Sequence, residues 1–484
     1  MIQTTIFDML YPKYKITKPI RLIEMFAGYG SQALALKYLD VSFEHWKICE
    51  WAVKSIQAYK DIHFTDKHLT FNKKRTKQEI VDYLFKLGIS ANYNEPMTKE
   101  QINRLSEEQL KTILENIAIT HNLVNIQQVK GKDLEIVDTD NYEYILTYSF
   151  PCQDLSLAGK GKGMSDTSTR SGMLWEVERI LTECKELGTL PQCLIMENVV
   201  QVHGEGNVED FNKWQLRLEE LGYKNYWEDL IATDYEIPQT RNRCFMVSIL
   251  GDYSYSFPSK QPLKLKLKDM LEDNVDEKYY LSNKMIEYIY SDDNSGKYNR
   301  KAARESCDIS ASNNDYLLIK NATAKGYLEA KEGDGVDISS RMQHHRGTVQ
   351  KNMIQTLDTQ CTKGVIVKNS QEITLELIKD VTSGKYNNGN VYGKHLFQSS
   401  RFNDKPQKNI SATIKAGNMD AGVINGLRIR KLTPKECFRL MGVKDEDYEK
   451  VAKNQSNASL YHLAGDSIVV NVLMAIFKEM IKNG

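Results

Sequence analysis

The stretch Ile20-Arg21-Leu22-Ile23-Glu24-Met25-Phe26-Ala27-Gly28-Tyr29-Gly30-Ser31 decides the reading of the fold. It opens as an apolar run of strand length, IRLIEMF, breaks at two glycines and passes into the helical pattern QALALKYL. Strand, tight glycine turn and helix begin an open α/β sheet, and the glycines let backbone approach a ligand closely. FAGYG is not the GxGxxG of a dinucleotide fold. Downstream, Trp46-Lys47-Ile48-Cys49-Glu50 predicts a second strand ending on an acid. Apolar runs at 144–148, 193–196 and 244–250 predict further strands, with helical patterns at 172–187 and 208–221. Strands alternating with helices give a doubly wound sheet.

The rest of the chain departs from that rhythm. With 484 residues, 41% of them hydrophobic, it can bury a large core in two domains. Residues 1–257 carry the alternating pattern, broken at 64–129 by amphipathic segments such as KQEIVDYLFKLG that read as inserted, mainly solvated helices. Residues 258–457 form the second domain, which to about 425 is rich in Asn, Gly, Ser, Lys and Asp; loops and short strands are expected there. Residues 458–484 are expected to return to the first domain. A unit recurs at a spacing of 57 residues: QKNMIQTL from Gln350 matches QKNISATI from Gln407. Each copy precedes a Gly-Val-Ile, at Gly364 and Gly422, and follows an arginine, Arg346 or Arg401. A duplicated β-hairpin and a pair of DNA-reading loops both account for it.

Net charge is zero, with 64 basic and 64 acidic residues, so overall charge does not announce a nucleic-acid binder. Residues 338–426 carry 12 Lys and Arg against 6 Asp and Glu, which suits a phosphate-facing surface or a solvated one. The eight cysteines form no CxxC pair and no Cys/His cluster with zinc spacing, so no metal is expected and a reducing compartment is. The N-terminus has no signal-peptide pattern and no uninterrupted apolar run spans a bilayer, so a soluble, cytoplasmic protein is expected.

Three loops carry chemistry. Glu50, at a strand's end, can accept hydrogen bonds from both hydroxyls of a ribose, and Trp51 offers a face to an adenine. Cys152 follows Pro151 in Ser149-Phe150-Pro151-Cys152-Gln153-Asp154-Leu155-Ser156, just beyond a strand's carboxyl end, where open sheets bind ligands. Its reactivity as a thiolate needs a nearby positive dipole or cation. Met196-Glu197-Asn198-Val199 ends another strand and points into the same crevice. In Gln239-Thr240-Arg241-Asn242-Arg243, two arginines at i and i+2 of an extended segment face one side, as a clamp for phosphate or base would.

In this order and spacing the motifs resemble the DNA cytosine-5 methyltransferases of bacteria and phages. FAGYG, with Phe26, Gly28 and Gly30, is similar to the family's cofactor loop, Glu50 to its ribose acid and Asp133-Leu134 to its adenine-contacting pair. PCQ resembles the catalytic loop, Glu197-Asn198-Val199 the ENV element and residues 239–243 the QxRxR element. RSGMLWE, with Leu174, RKLTPKECFRLMG within 428–442, and AGDSIVV, with Ser467 and Val469, resemble further motifs. The family usually has Asn where this chain has Asp466.

The resemblance implies a Rossmann-like methyltransferase sheet, mixed and doubly wound, with a smaller, loop- and strand-rich target-recognition domain. It implies S-adenosyl-L-methionine as donor, S-adenosyl-L-homocysteine as product and double-stranded DNA as substrate for a monomer, with a cognate restriction endonuclease as a possible companion. Catalysis falls to Cys152, Glu197, Arg241 and Arg243. Donor binding falls to Phe26, Gly28, Gly30, Glu50, Trp51, Asp133, Leu134, Pro151, Leu174, Ser467 and Val469. DNA contact falls to Gln153, Ser156, Gln239, Arg346, Arg401 and Lys408, with His344 and His345 as further candidates. The alternatives are a tRNA cytosine-5 methyltransferase, which keeps these motifs but has little target-recognition insert, and a catalytically dead DNA-binding homologue.

Overall fold

The computed structural model describes residues 11–69, 75–151, 171–281, 316–324, 326–339, 347–368 and 427–481. The chain divides into two compact units, one of residues 1–265, 358–360 and 434–484, the other of 266–357 and 361–433.

The first unit is built on a six-stranded sheet of β1 (Ile20–Met25), β2 (Phe43–Cys49), β3 (Glu143–Tyr148), β4 (Cys193–Val199), β5 (Tyr223–Ile231) and β6 (Asn242–Leu250). Their order is β2-β1-β3-β4-β6-β5. The first four pair in parallel, and β6 runs antiparallel to both β4 and β5, so the sheet is mixed. Every residue of β3 and β4 is buried, as befits central strands covered on both faces. β5 is absent from the apolar-run reading, because YKNYWEDLI is an edge strand, mostly half-buried or exposed, with little contrast along it.

Alternation sorts the strand residues between two helical layers. Ile23, Met25, Tyr144, Leu146, Tyr148, Leu194, Met196, Cys244 and Met246 share a core with helices α6 (Leu174–Glu186) and α7 (Val208–Leu221), centred on the fully buried Trp214. On the other face, Glu24 of β1 takes an N–H of α1 (Ser31–Tyr38) and the Tyr59 hydroxyl of α2 (Val53–His63). The sheet is therefore doubly wound.

The insertion forms α3 (Lys77–Leu87), α4 (Lys99–Asn103) and α5 (Glu107–Ile119), each started by a capping box at Thr76, Thr98 and Ser106. Their inner faces, with Ile80, Leu84, Ile102, Leu110 and Ile117, bury a separate core against Ile56 of α2 and the flank of Trp51. It is less a solvated elaboration than a small packed layer.

At the C-terminal end come α8 (Pro434–Arg439), α9 (Asp445–Ala452), α10 (Asn457–Asp466) and α11 (Val470–Met480). Residues 434–457, expected with the second domain, belong to the first unit. Their anchors explain it: Phe438 stacks on Tyr29 at 5.3 Å, and the fully buried Asp447 binds Lys37 at 2.7 Å and Tyr38 at 2.9 Å. Residues Asn457–Met480, mean hydropathy 1.6, are long and apolar enough to cross a bilayer by length and composition, a feature that uninterrupted apolar runs do not reveal. They are α10 and α11 with an interruption at 467–469, and 67% of the apolar window is buried inside the protein.

The second unit holds short strands, as expected. β7 (Tyr316–Lys320) and β8 (Tyr327–Lys331) form one ribbon; β9 (Gly335–Asp337), β10 (Val349–Gln350), β11 (Lys363–Lys368) and β12 (Leu427–Lys431) form an antiparallel sheet in the order β10-β9-β11-β12. The first repeat copy is not a simple hairpin, since its strands β10 and β11 pair on opposite sides of β9. The second copy lies outside the described residues.

Glu24 couples this architecture to pH. Burial raises its carboxyl to about 7 from an ordinary 4.5, against the hydrogen bonds from Tyr59 and Ala33 that favour the charge. The folded state thus holds this proton more tightly than the unfolded chain, so the group favours folding below pH 4.5 and loses that advantage as pH rises to 7. Relative to Glu24→Gln, the unsubstituted protein should lose up to about 3 kcal/mol across that window. Urea unfolding of both proteins at pH 5 and pH 8 checks this; a difference unchanged between the two would contradict it.

Candidate active site

The carboxyl ends of β1 to β4 open on a cavity of about 280 Å³ in the first unit. One wall is the turn after β1. Phe26 bends back at φ 58°, its N–H bonding the Cys49 carbonyl at 2.8 Å, and Gly28 follows at φ 56°. Open space lies where a Gly28 Cβ would project, so a side chain there would fill the cavity. Gly30 is glycine for a different reason: a Cβ would strike Tyr59 and His63.

Glu50 closes the base of that wall. Its two carboxylate oxygens take the N–H groups of Gly28 at 3.0 Å and Ala52 at 2.8 Å. Asn122 brackets its backbone, accepting from the Glu50 N–H and donating to its carbonyl. Burial raises the Glu50 carboxyl to about 7, with those N–H groups pulling the other way and Asp466 adding to the rise. Trp51 lines the cavity beside it.

The opposite wall holds a buried carboxylate. Glu197, 5% exposed at the end of β4, accepts the Ser149 hydroxyl at 2.5 Å and pairs with the Arg243 Nε at 3.2 Å. A buried carboxylate needs such partners to offset its lost hydration. Asn198 ties this wall to the next loop, donating to the Phe150 carbonyl at 3.0 Å and accepting the Val199 N–H at 2.9 Å. Pro151 also lines the cavity. Cys152, Gln153 and Ser156 lie outside the described residues, as do Arg346, Arg401, Lys408, His344 and His345.

The structure separates the other anticipated residues. Arg241 and Arg243 both line the cavity but serve different neighbours. The buried Arg241 donates to the carbonyls of Gly465 at 3.2 Å and Ser467 at 2.8 Å, bracing the loop that closes this side. Tyr29 donates to Ser467 Oγ at 2.8 Å, fixing the same loop. Asp466 and Ser467 reach the cavity, while Val469 is buried beside it.

Four expected residues fall elsewhere. Gln239 is fully buried, donating to the Leu440 carbonyl at 2.8 Å, so it positions the chain at α8 and cannot meet DNA from there. Leu174 is a core residue of α6, and its neighbour Met173 lines the cavity instead. Asp133 accepts the Lys130 N–H in a short 3-10 turn, and the buried Leu134 carbonyl accepts the Trp46 indole.

Asn125, Ile126 and Gln127 stand on the cavity where Asp133 and Leu134 were expected. The signal was available: LVNI returns from the insertion to the sheet edge, where Leu123 N–H bonds the Ile48 carbonyl. The expectation rested on the family resemblance rather than on the strand end. The insertion also delivers Tyr93 and Asn94, which no motif announced.

Among the described residues, one group has metal-ligand character: His203, Asp229 and Cys244, with donor atoms within 4.8 Å of one another. The Asp229 carboxylate already occupies His203 Nε2 at 2.9 and 3.1 Å, and burial pushes the Cys244 thiol well up. A hydrogen-bonded pair beside a neutral thiol describes it.

Residues 84–482 match the family model of C-5 cytosine-specific DNA methylase. The type II methyltransferase M2.ScrFI of Lactococcus lactis subsp. cremoris is 31% identical over 467 residues, 96% of this chain and 99% of that protein. The orphan methyltransferase M.SssI of Spiroplasma monobiae is 37% identical over 272 residues, 55% of this chain and 68% of that protein. The orphan methyltransferase M.SPRI of Bacillus phage SPR is 26% identical over 407 residues, 76% of this chain and 88% of that protein. The chain belongs to the C-5 cytosine-specific DNA methylase family and is a DNA cytosine-5 methyltransferase. Of the three readings of its motifs, family membership selects DNA methylation.

Asn198→Ala would leave the Phe150 carbonyl without this donor and should cost about 1–3 kcal/mol of stability. Urea denaturation checks it, and a change under about 0.5 kcal/mol, the ordinary size for a surface substitution, would contradict the role.

Proposed function

We propose that the chain holds S-adenosylmethionine against the Gly28–Glu50 wall and receives an everted cytosine against Glu197, with Cys152 as the nucleophile. The observation that carries the reading is one cavity lined by both a ribose-type acid, Glu50, and a doubly partnered buried carboxylate, Glu197. The fit to the donor rests on the open cradle at Gly28 and on the Glu50 carboxylate, with Trp51 and Ile126 as apolar surface for an adenine and Asn125 for its polar edge. When bound, the donor supplies an electrophilic methyl group on a sulfonium and leaves as S-adenosylhomocysteine.

The residues' roles follow from the chemistry of cytosine, whose C5 is a poor nucleophile within an aromatic ring. The Cys152 thiolate adds to C6, forming a sulfur–carbon bond and pushing electron density toward C5 and the N3 edge. Glu197 shares a proton with that edge so that charge does not accumulate there, and Arg243 holds Glu197 in place. C5 then takes the methyl group. Loss of the C5 proton to solvent and expulsion of the thiolate restore the ring and free the enzyme. Because C5 is shielded in the stacked duplex, the base must leave the stack first.

The second unit, residues 266–357 and 361–433, is the proposed reader of target sequence, with Arg346, Arg401 and Lys408 the first positions to test. The reading needs one copy of the chain, acting on double-stranded DNA in the cytoplasm of a bacterial or phage-infected cell. A cognate restriction endonuclease would be a companion blocked by the same methylation.

Duplex DNA carrying 5-fluorocytosine, which has no C5 proton to lose, tests the mechanism. With the donor present it should trap a covalent adduct at Cys152. Cys152→Ser should give no adduct and no methyl transfer, and Glu197→Gln should lower kcat by about 10²–10⁴. Methyl transfer by Cys152→Ser at the parental rate would overturn the proposal.

A further inference from the structure

The loop that closes the cavity beside Arg241 carries a charge with no part in the chemistry of Cys152 and Glu197. Asp466 ends α10, and its side chain lines the cavity while remaining 54% exposed, so a ligand there can reach it. The loop itself is firmly held. Arg241 donates to the carbonyls on either side of Asp466, those of Gly465 and Ser467, and Tyr29 donates to Ser467 Oγ. One turn back on the helix, His462 places Nε2 3.2 Å from Asp466 Oδ2, and its ring lies against Tyr93 with centroids 3.9 Å apart.

The neighbouring charges locate this carboxylate between the two proposed ligands. Burial is the main cause that raises the carboxyls of Glu50 and Asp466. Asp466 adds to the rise at Glu50, and Glu197 adds to the rise at Asp466, while His462 and Arg241 pull Asp466 the other way. Asp466 is therefore within electrostatic reach of the ribose-type acid on one wall and the base-binding acid on the other. Among the described residues, the lining holds three carboxylates, Glu50, Glu197 and Asp466, against two guanidiniums, Arg241 and Arg243. Arg243 is paired with Glu197 at 3.2 Å, so the charge of Asp466 is left to face the cavity beside His462 and Arg241.

We infer that Asp466 is a specificity-determining residue that faces the sulfonium of S-adenosylmethionine and makes the site prefer this cationic donor over its neutral product. The inference rests on the proposed placement of the donor in this cavity. With the nucleoside on the Glu50 wall and the cytosine at Glu197, the sulfonium stands between them, on the side that Asp466 lines. S-adenosylmethionine and S-adenosylhomocysteine share adenosine, ammonium and carboxylate; they differ in the methyl group and in the positive charge on sulfur. A carboxylate beside that sulfur attracts the first and not the second, more strongly at a wall that partly excludes water than in bulk. When the methyl group leaves, its bonding pair stays on sulfur, the charge is gone, and the hold on the spent nucleoside loosens. Asn, usual in the family at this position, has the same shape without that discrimination.

The test is equilibrium binding by calorimetry, without DNA, to the full-length protein and to its Asp466→Asn variant. The probes are S-adenosylmethionine, S-adenosylhomocysteine and sinefungin, in which an amine-bearing carbon carries the positive charge in place of the sulfonium. Asp466→Asn should weaken S-adenosylmethionine and sinefungin about three- to tenfold, and S-adenosylhomocysteine less than about twofold. In turnover on duplex DNA, S-adenosylhomocysteine should become a correspondingly stronger inhibitor relative to the donor. Equal changes for all three ligands, or none, would overturn the inference; an equal loss is what a contact with the tail ammonium, common to all three, would give. Glu50→Ala tests the placement separately, because a ribose acid serves the three ligands alike and its removal should weaken them all. If Glu50→Ala left all three affinities unchanged, the placement of the donor would fail instead.

Discussion

The site depends on holding one carboxylate, that of Glu197, in a place where water barely reaches. Removing such a group from water costs several kcal/mol unless partners replace its hydration. Here Ser149 arrives from the end of β3 and Arg243 from the antiparallel β6, so the carboxylate on β4 is served from both sides. With β4 lying between β3 and β6, the sheet brings these three residues together. The topology is therefore part of the chemistry, and Asn198, by holding Phe150, extends the same constraint to the residues just before Cys152.

Cysteine provides the contrast. Every cysteine among the described residues is buried, and burial pushes the thiols of Cys49, Cys184, Cys193 and Cys244 upward, away from thiolate formation. These sulfurs pack as small apolar groups. A nucleophile needs the reverse environment, and Pro151, the last described residue before Cys152, lines the cavity.

Much of this is legible in the sequence because the central strands are short, apolar and end in polar loops. IRLIEMFAGYG, EYILTYSFP and CLIMENV each announce a strand and the residue it delivers. Legibility ends where a polar residue has a structural role. Gln239 and Arg241 look like surface groups in a string of letters, yet one is held by Leu440 and the other by Gly465 and Ser467, partners about 200 residues away. The family resemblance points to Asp133 and Leu134, whereas Asn125, Ile126 and Gln127 line the cavity, because position at the sheet edge decides which residue meets it. Tyr93 is invisible because nothing local marks it; it reaches the cavity through the pairing of Ser90 with residues 51 and 53. Residues 434–457 escape for the same reason, since Phe438 and Asp447 find their partners in Tyr29, Lys37 and Tyr38.

Everything turns on whether donor and base share this one cavity. The direct measurement is a structure of the protein with S-adenosylhomocysteine and a duplex containing 5-fluorocytosine. It should show the nucleoside on the Gly28–Glu50 wall and an extrahelical pyrimidine whose N3 and N4 edge lies within hydrogen-bonding distance of the Glu197 carboxylate. A pyrimidine left stacked in the duplex, or bound where Glu197 cannot touch it, would contradict the account.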